Sequence, residues 1–160
     1  QMGSHGPAYF KRYPKSFEKF KPACQSEDFS RCSQEEIINA YDNSILYTDY
    51  FLGELIKELE TLTAAYEVTL LYVSDHGESL GEGGVFLHGL PKAIAPKAQT
   101  HVPVFLWAPE GSSDVSYKET LALKDNAYTH SDISDTLLRL TEVQTNAYKG
   151  SGSSMIILGD

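Results

Sequence analysis

No apolar run in this sequence approaches the roughly 20 residues that cross a bilayer as a helix. The opening Gln1-Met2-Gly3-Ser4-His5-Gly6 has no basic stretch followed by an apolar one, so it reads as carrying no signal peptide. Any address or anchor of a parent protein is therefore expected outside these residues. Basic side chains are also scarce: 13 Lys and Arg, scattered without a run, face 22 Asp and Glu, for a formal charge of -9. That balance excludes nucleic acid as a partner, because phosphate backbones are held by clustered Lys and Arg. An acidic chain can still act on an anion where a metal ion supplies local positive charge. Cysteine is nearly absent. Cys24 and Cys32 are too few for a thiolate zinc site, leaving two free thiols or one small disulfide loop. The disulfide would imply an oxidising compartment such as a periplasm.

With 41% hydrophobic and 22% charged residues, the composition is that of a soluble globular protein. A chain of 160 residues is enough for one compact domain, here taken as 1–160. Residues 1–32 have no sustained period and read as an ordered loop region. Ser33 and Glu36 form a capping box that opens a helix. Tyr41, Ile45, Thr48, Leu52, Leu55, Leu59 and Leu62 recur at steps of three and four, which predicts a long amphipathic helix presenting that face. Val68 to Val73 and Val102 to Trp107 are short apolar runs of the kind that form strands buried on both faces. Ile133 to Leu140, capped by Ser131 or Asp132, reads as a last helix. Gly150–Ser154 is too short to count as a linker. Helix, strand, loop, strand, helix is an α/β pattern.

Ser74 to about His101 shows no element of its own, and long loops inside compact domains tend to be functional. This one follows the carboxyl end of a strand, where ligands of open α/β sheets bind. At its mouth stands Ser74-Asp75-His76-Gly77-Glu78. A carboxylate and an imidazole side by side suit a catalytic zinc, and Gly77, without a Cβ, permits the chain to bend there. Leu87-His88-Gly89 and Ser4-His5-Gly6-Pro7 offer two further imidazoles in Gly-flanked loops. His101 and His130 precede a strand and a helix, where capping or surface roles fit better. Glu78 and Glu82 read as side chains that solvate the loop.

The string SDHGESLGEGGVFLHGLPKAIAPKAQTHVP at residues 74–103 resembles the signature of the bacterial phosphoethanolamine transferases, the lipid A and mobile colistin-resistance enzymes among them. The likeness continues in GSHGPAYFKRYP at 3–14, in the Cys24–Cys32 segment and in Ala40 to Tyr47, and covers about the first 110 residues.

That resemblance implies an alkaline phosphatase/sulfatase-like α/β/α sandwich, incomplete at its N-terminus. It implies zinc as cofactor, with Asp75 and His76 as ligands, and His5 and His88 either lining a phosphate pocket or holding a second zinc. Cys24 and Cys32 match one of the family's disulfides. The donor would be phosphatidylethanolamine and the acceptor lipid A or another envelope component. The setting would be the periplasmic face of the inner membrane, reached through an N-terminal membrane region absent here. The family's nucleophilic Thr and a zinc-binding Glu lie upstream of GSHGP. No catalytic nucleophile is therefore assignable in this chain, which is expected to be inactive alone. Thr48, Thr61, Thr69 and Thr100 match no nucleophile motif, and Thr129 to Asp135 departs from the family's pattern. Two other readings remain: a sulfatase or phosphodiesterase of the same superfamily, and a non-catalytic metal-binding module.

Overall fold

The computed structural model describes residues 3–146 and 154–159; Gln1, Met2 and most of the Gly150–Ser154 stretch lie outside the described residues. The chain forms two compact units, one of Gln1–Lys57 with Val73–Val104, the other of Glu58–Tyr72 with Phe105–Asp160.

In the first unit, residues up to Cys32 run as loops punctuated by three single 3-10 turns, Tyr9–Lys11, Lys15–Phe17 and Phe29–Arg31. Helix α1, Gln34–Leu62, begins at the expected capping box. The Glu36 amide donates to Ser33 Oγ at 3.2 Å and the Ser33 amide to Glu36 Oε2 at 2.7 Å. Its buried face differs from the predicted stripe. Ile37, Ala40, Asn43, Ser44 and Thr48 are buried, whereas Ile45 and Leu62 are exposed. Small side chains at 40 and 44 leave room for the loops to lie against the helix backbone, which a count of large apolar residues overlooks. Asn43 then fastens those loops: its Oδ1 accepts from the Lys19 and Phe20 amides at 2.7 and 2.9 Å, and its Nδ2 donates to Phe20 O.

The core of this unit is small. Tyr9, Cys24, Ile37 and Ala40 form it, with Phe29, Cys32, Tyr41, Leu80 and Leu87 packed around. Cys24 and Cys32 are joined as a disulfide inside it, their Cα atoms 5.7 Å apart. By closing a short loop of the unfolded chain, such a bridge contributes about 2–3 kcal/mol.

Strand β1, Leu70–Val73, leads into the segment read as a featureless loop. That segment holds a hairpin, β2 Ser79–Leu80 against β3 Phe86–Leu87, with a 3-10 turn at Glu82–Gly84 between them. Its antiparallel register sets Ser79 opposite Leu87 and Leu80 opposite Phe86. Glu82 closes the turn by accepting the Leu80 amide at 2.7 Å. The hairpin escapes a sequence reading because each strand has two residues, too few to show a period. Helix α2, Lys97–Thr100, precedes β4, Val104–Trp107.

The second unit holds Leu70–Tyr72 of β1 and Phe105–Trp107 of β4, neighbours in a two-stranded sheet whose Tyr72 and Phe105 rings stack at 5.0 Å. Neither strand is buried on both faces as expected; Val104 and Phe105 are exposed, because each strand has one neighbour among the described residues. Helices α3, Tyr117–Leu121, and α4, Ser131–Leu140, complete it. At the start of α4 the buried Asp132 carboxylate accepts from the Thr129 amide at 2.6 Å and from its hydroxyl at 3.0 Å, the reach-back half of a helix cap.

Candidate metal and phosphate site

Where β1 ends, the chain turns sharply and is held by backbone. The Ser74 hydroxyl donates to His76 O at 2.7 Å, and the Gly77 amide donates to Gln99 O at 3.0 Å. A Cβ at Gly77 would stand 1.9 Å from the Ala98 carbonyl oxygen. Glycine is required here by close approach of two backbones. Buried Gln99 extends the clasp, its Nε2 donating to Ser79 Oγ at 3.0 Å.

This turn brings Asp75 and His76 together. Asp75 Oδ2 lies 3.8 Å from His76 Nε2, with the Asp75 side chain 88% exposed and that of His76 31% exposed. The other imidazole nitrogen, Nδ1, sits 3.0 Å from Gly77 O. A carbonyl only accepts, so Nδ1 carries the proton and Nε2 keeps its lone pair. Two donors bound to one zinc at about 2.0–2.2 Å in a tetrahedron stand about 3.3 Å apart, so a small side-chain rotation suffices. The pair fits a metal ion as two of the three protein ligands that a catalytic zinc takes.

His88 enters from the hairpin. The residue before it, Leu87, has φ +63°, a left-handed conformation that costs a bulky side chain about 1–3 kcal/mol. Packing holds it there: Leu87 lies against the core, and a Cβ on Gly6 would meet its Cδ2 at 2.5 Å. That conformation turns the chain so that the His88 ring stacks on His76 with centroids 3.8 Å apart. His5, from the N-terminal loop, meets His88 edge-on at 5.0 Å and His76 at 6.0 Å. Arg12 Nε steadies the loop by donating to His5 O at 2.8 Å. Three imidazoles separated by up to 83 positions thus share one place.

Glu78 is the residue that sequence reasoning misplaced. Its side chain is only 4% exposed and solvates nothing. Oε1 accepts from the Gly6 amide at 3.1 Å and lies 3.1 Å from His88 Nδ1, while Oε2 accepts from the Tyr9 hydroxyl at 3.3 Å. His5 Nδ1 stands 3.9 Å from Oε1. Burial, with the Glu78 carboxylate adding to it, holds the Tyr9 phenol well above the ordinary tyrosine pKa. Two of these partners are 69 and 72 positions away, so no local signal distinguishes this Glu from a solvated one. His5, Glu78 and His88 also bring three potential ligand atoms within 4.8 Å of one another.

His101 ends α2, its amide donating to Lys97 O, and His130 belongs to the second unit. Thr48 is buried on α1 with its hydroxyl given to Ser44 O at 3.1 Å, and Thr61 donates to Glu58 O at 2.7 Å. Neither hydroxyl is placed as a nucleophile.

Comparison with known proteins agrees along nearly the whole chain. It is 50% identical over 149 residues to phosphatidylethanolamine transferase Mcr-2 of Escherichia coli, covering 93% of this chain and 27% of that protein. It is 43% identical over 154 residues to phosphoethanolamine transferase EptA of Salmonella typhimurium, covering 94% and 28%. The chain therefore spans about a quarter of the length of these curated relatives. Among solved structures, the soluble domain of lipooligosaccharide phosphoethanolamine transferase A from Neisseria meningitidis matches with a TM-score of 0.87 at 36% identity, over 93% of this chain and 46% of that one. The C-terminal periplasmic domain of EptC from Campylobacter jejuni matches with a TM-score of 0.79 at 44% identity, over 92% and 47%. The mixed helix and strand fold is thus of the sulfatase and alkaline phosphatase type. A Sulfatase family model matches residues 1–143, and the chain belongs to that family.

Proposed function

We propose that this chain is part of the catalytic domain of a phosphoethanolamine transferase, in which Asp75 and His76 hold zinc and His5 and His88 receive the phosphoryl oxygens. The observation that carries the reading is the convergence of Asp75 Oδ2 and His76 Nε2, 3.8 Å apart, beside a stacked imidazole pair. The names of the relatives support a transferase reading; in it phosphoethanolamine would pass from phosphatidylethanolamine to a lipid A-type acceptor. The parent would work at the periplasmic face of the inner membrane and confer polymyxin or colistin resistance. Among the described residues no helix is long and apolar enough to cross a membrane.

Zinc bound there would draw charge from a phosphoryl oxygen and lower the pKa of a bound hydroxyl. The chain's own residues do the rest. Asp75 and His76 fix the cation at the strand end, and the tautomer set by Gly77 O keeps Nε2 available. The imidazoles of His5 and His88 stabilise phosphoryl oxygens or hand a proton to a leaving group. Since the family's Thr nucleophile and an additional zinc-binding Glu lie upstream of GSHGP, the 160 residues alone should not turn over.

Zinc titration by calorimetry tests the metal assignment. Wild type should bind one zinc weakly, having two of three protein ligands, and Asp75→Ala should weaken it by more than about 100-fold, beyond what loss of a supporting group costs. Binding that survives Asp75→Ala unchanged removes Asp75 as a ligand. Turnover of a phosphatidylethanolamine analogue by this chain alone would place the nucleophile within it.

A further inference from the structure

The buried carboxylate of Glu78 is more elaborately held than any group on the exposed side of the site. Gly6 N–H, Tyr9 O–H and His88 Nδ1 converge on its two oxygens within 3.3 Å. Those partners come from the N-terminal loop and from the hairpin, 72 positions before and 10 after it in sequence. An ionised carboxylate only accepts hydrogen bonds, so each partner must donate. Three of its roughly four acceptor sites are taken by protein N–H and O–H groups. We infer that Glu78 is a positioning residue, which locks His88 in its Nδ1–H form and pins the His5 loop beside it, so that Nε2 is the ring nitrogen left to exchange a proton with a substrate oxygen. This rests on the reading of His5 and His88 as phosphate-handling groups and gives that pair its geometry.

The alternative use of the same atoms is cation ligation by His5, Glu78 and His88. The two predict opposite things of His88 Nδ1. A positioning carboxylate needs a proton on that nitrogen; a metal at the same point needs it bare.

The test is a long-range proton–nitrogen correlation spectrum of the metal-free chain with labelled histidine, taken about two units above the ordinary histidine pKa of about 6.5. In wild type His88 should show the Nδ1–H tautomer, where an isolated histidine favours Nε2–H. Glu78→Met, which keeps the length but removes both acceptors, should return His88 to the Nε2–H form. His76 should stay as it is, since its own partner is Gly77 O. Glu78→Gln, which retains one carbonyl acceptor, should keep the wild-type His88 signal. An Nε2–H form of His88 in wild type overturns the inference even if Glu78→Met does not fold. So does a His88 signal unmoved by Glu78→Met, or the loss of one equivalent of bound zinc in a folded Glu78→Met variant. A wild type that takes up no zinc but shows His88 as Nδ1–H would instead overturn the metal assignment and leave Glu78 in its role.

Discussion

Two acid–imidazole pairs stand within this site, thirteen positions apart at their extremes, and the fold treats them oppositely. Asp75 and His76 meet at 3.8 Å with the carboxylate 88% exposed, and one carboxylate oxygen accepts from the adjacent His76 amide at 3.0 Å. Glu78 and His88 meet at 3.1 Å with the carboxylate 4% exposed and surrounded by donors. The first pair leaves lone pairs facing outward, which is what a cation needs. The second has most of its lone pairs committed to protein donors, which is what a rigid frame needs. The same residue types are thus left open or enclosed according to what the backbone places around them.

The sharpest way to break the contrast is at Gly77, on which the exposed pair depends. Gly77→Ala forces a methyl against the Ala98 carbonyl at 1.9 Å, so the turn must open. A stability loss of about 3 kcal/mol is expected from urea unfolding, with zinc binding lost as Asp75 and His76 separate. Next in size, the two carboxylates should respond in opposite currencies. Glu78→Met strands the Gly6 amide and the Tyr9 hydroxyl and should cost about 1–3 kcal/mol of stability. Asp75→Ala should cost under about 0.5 kcal/mol, because its side chain is in solvent, while abolishing most zinc affinity. Equal stability losses in the two variants would erase the distinction. The smallest effect concerns pH. Burial raises the Tyr9 pKa above its ordinary value of 10.0, with the Glu78 charge adding to it. Above pH 10 the unfolded chain gives up that proton and the folded one retains it, so stability falls as pH rises. Below that range Tyr9 contributes no slope. Tyr9→Phe should flatten the alkaline fall by up to about 1.4 kcal/mol per pH unit in denaturation curves compared across pH.

Much of the site was legible before any coordinates, because its residues sit in short motifs with local consequences. Asp75 and His76 follow a strand, and His5 and His88 are flanked by glycines; the structure brings all of them together. Glu78 was not legible, since burial is a property of its neighbours and two of those come from the N-terminal loop. The same holds for the hairpin of β2 and β3, whose two-residue strands are fixed by pairing and by Glu82 closing the turn.

The sequence by itself determined the start of α1, through the Ser33 and Glu36 side chains that satisfy its first amides. It also determined the α/β pattern and the short motifs whose side chains converge. These are decided within a few residues, by capping, period and chemical type. Tertiary structure alone decided which face of α1 is buried, how closely Gly77 passes Ala98, and that Glu78 is enclosed while Asp75 is open. Each of those depends on atoms far along the chain meeting at van der Waals distance, and no stretch of neighbouring residues encodes that by itself.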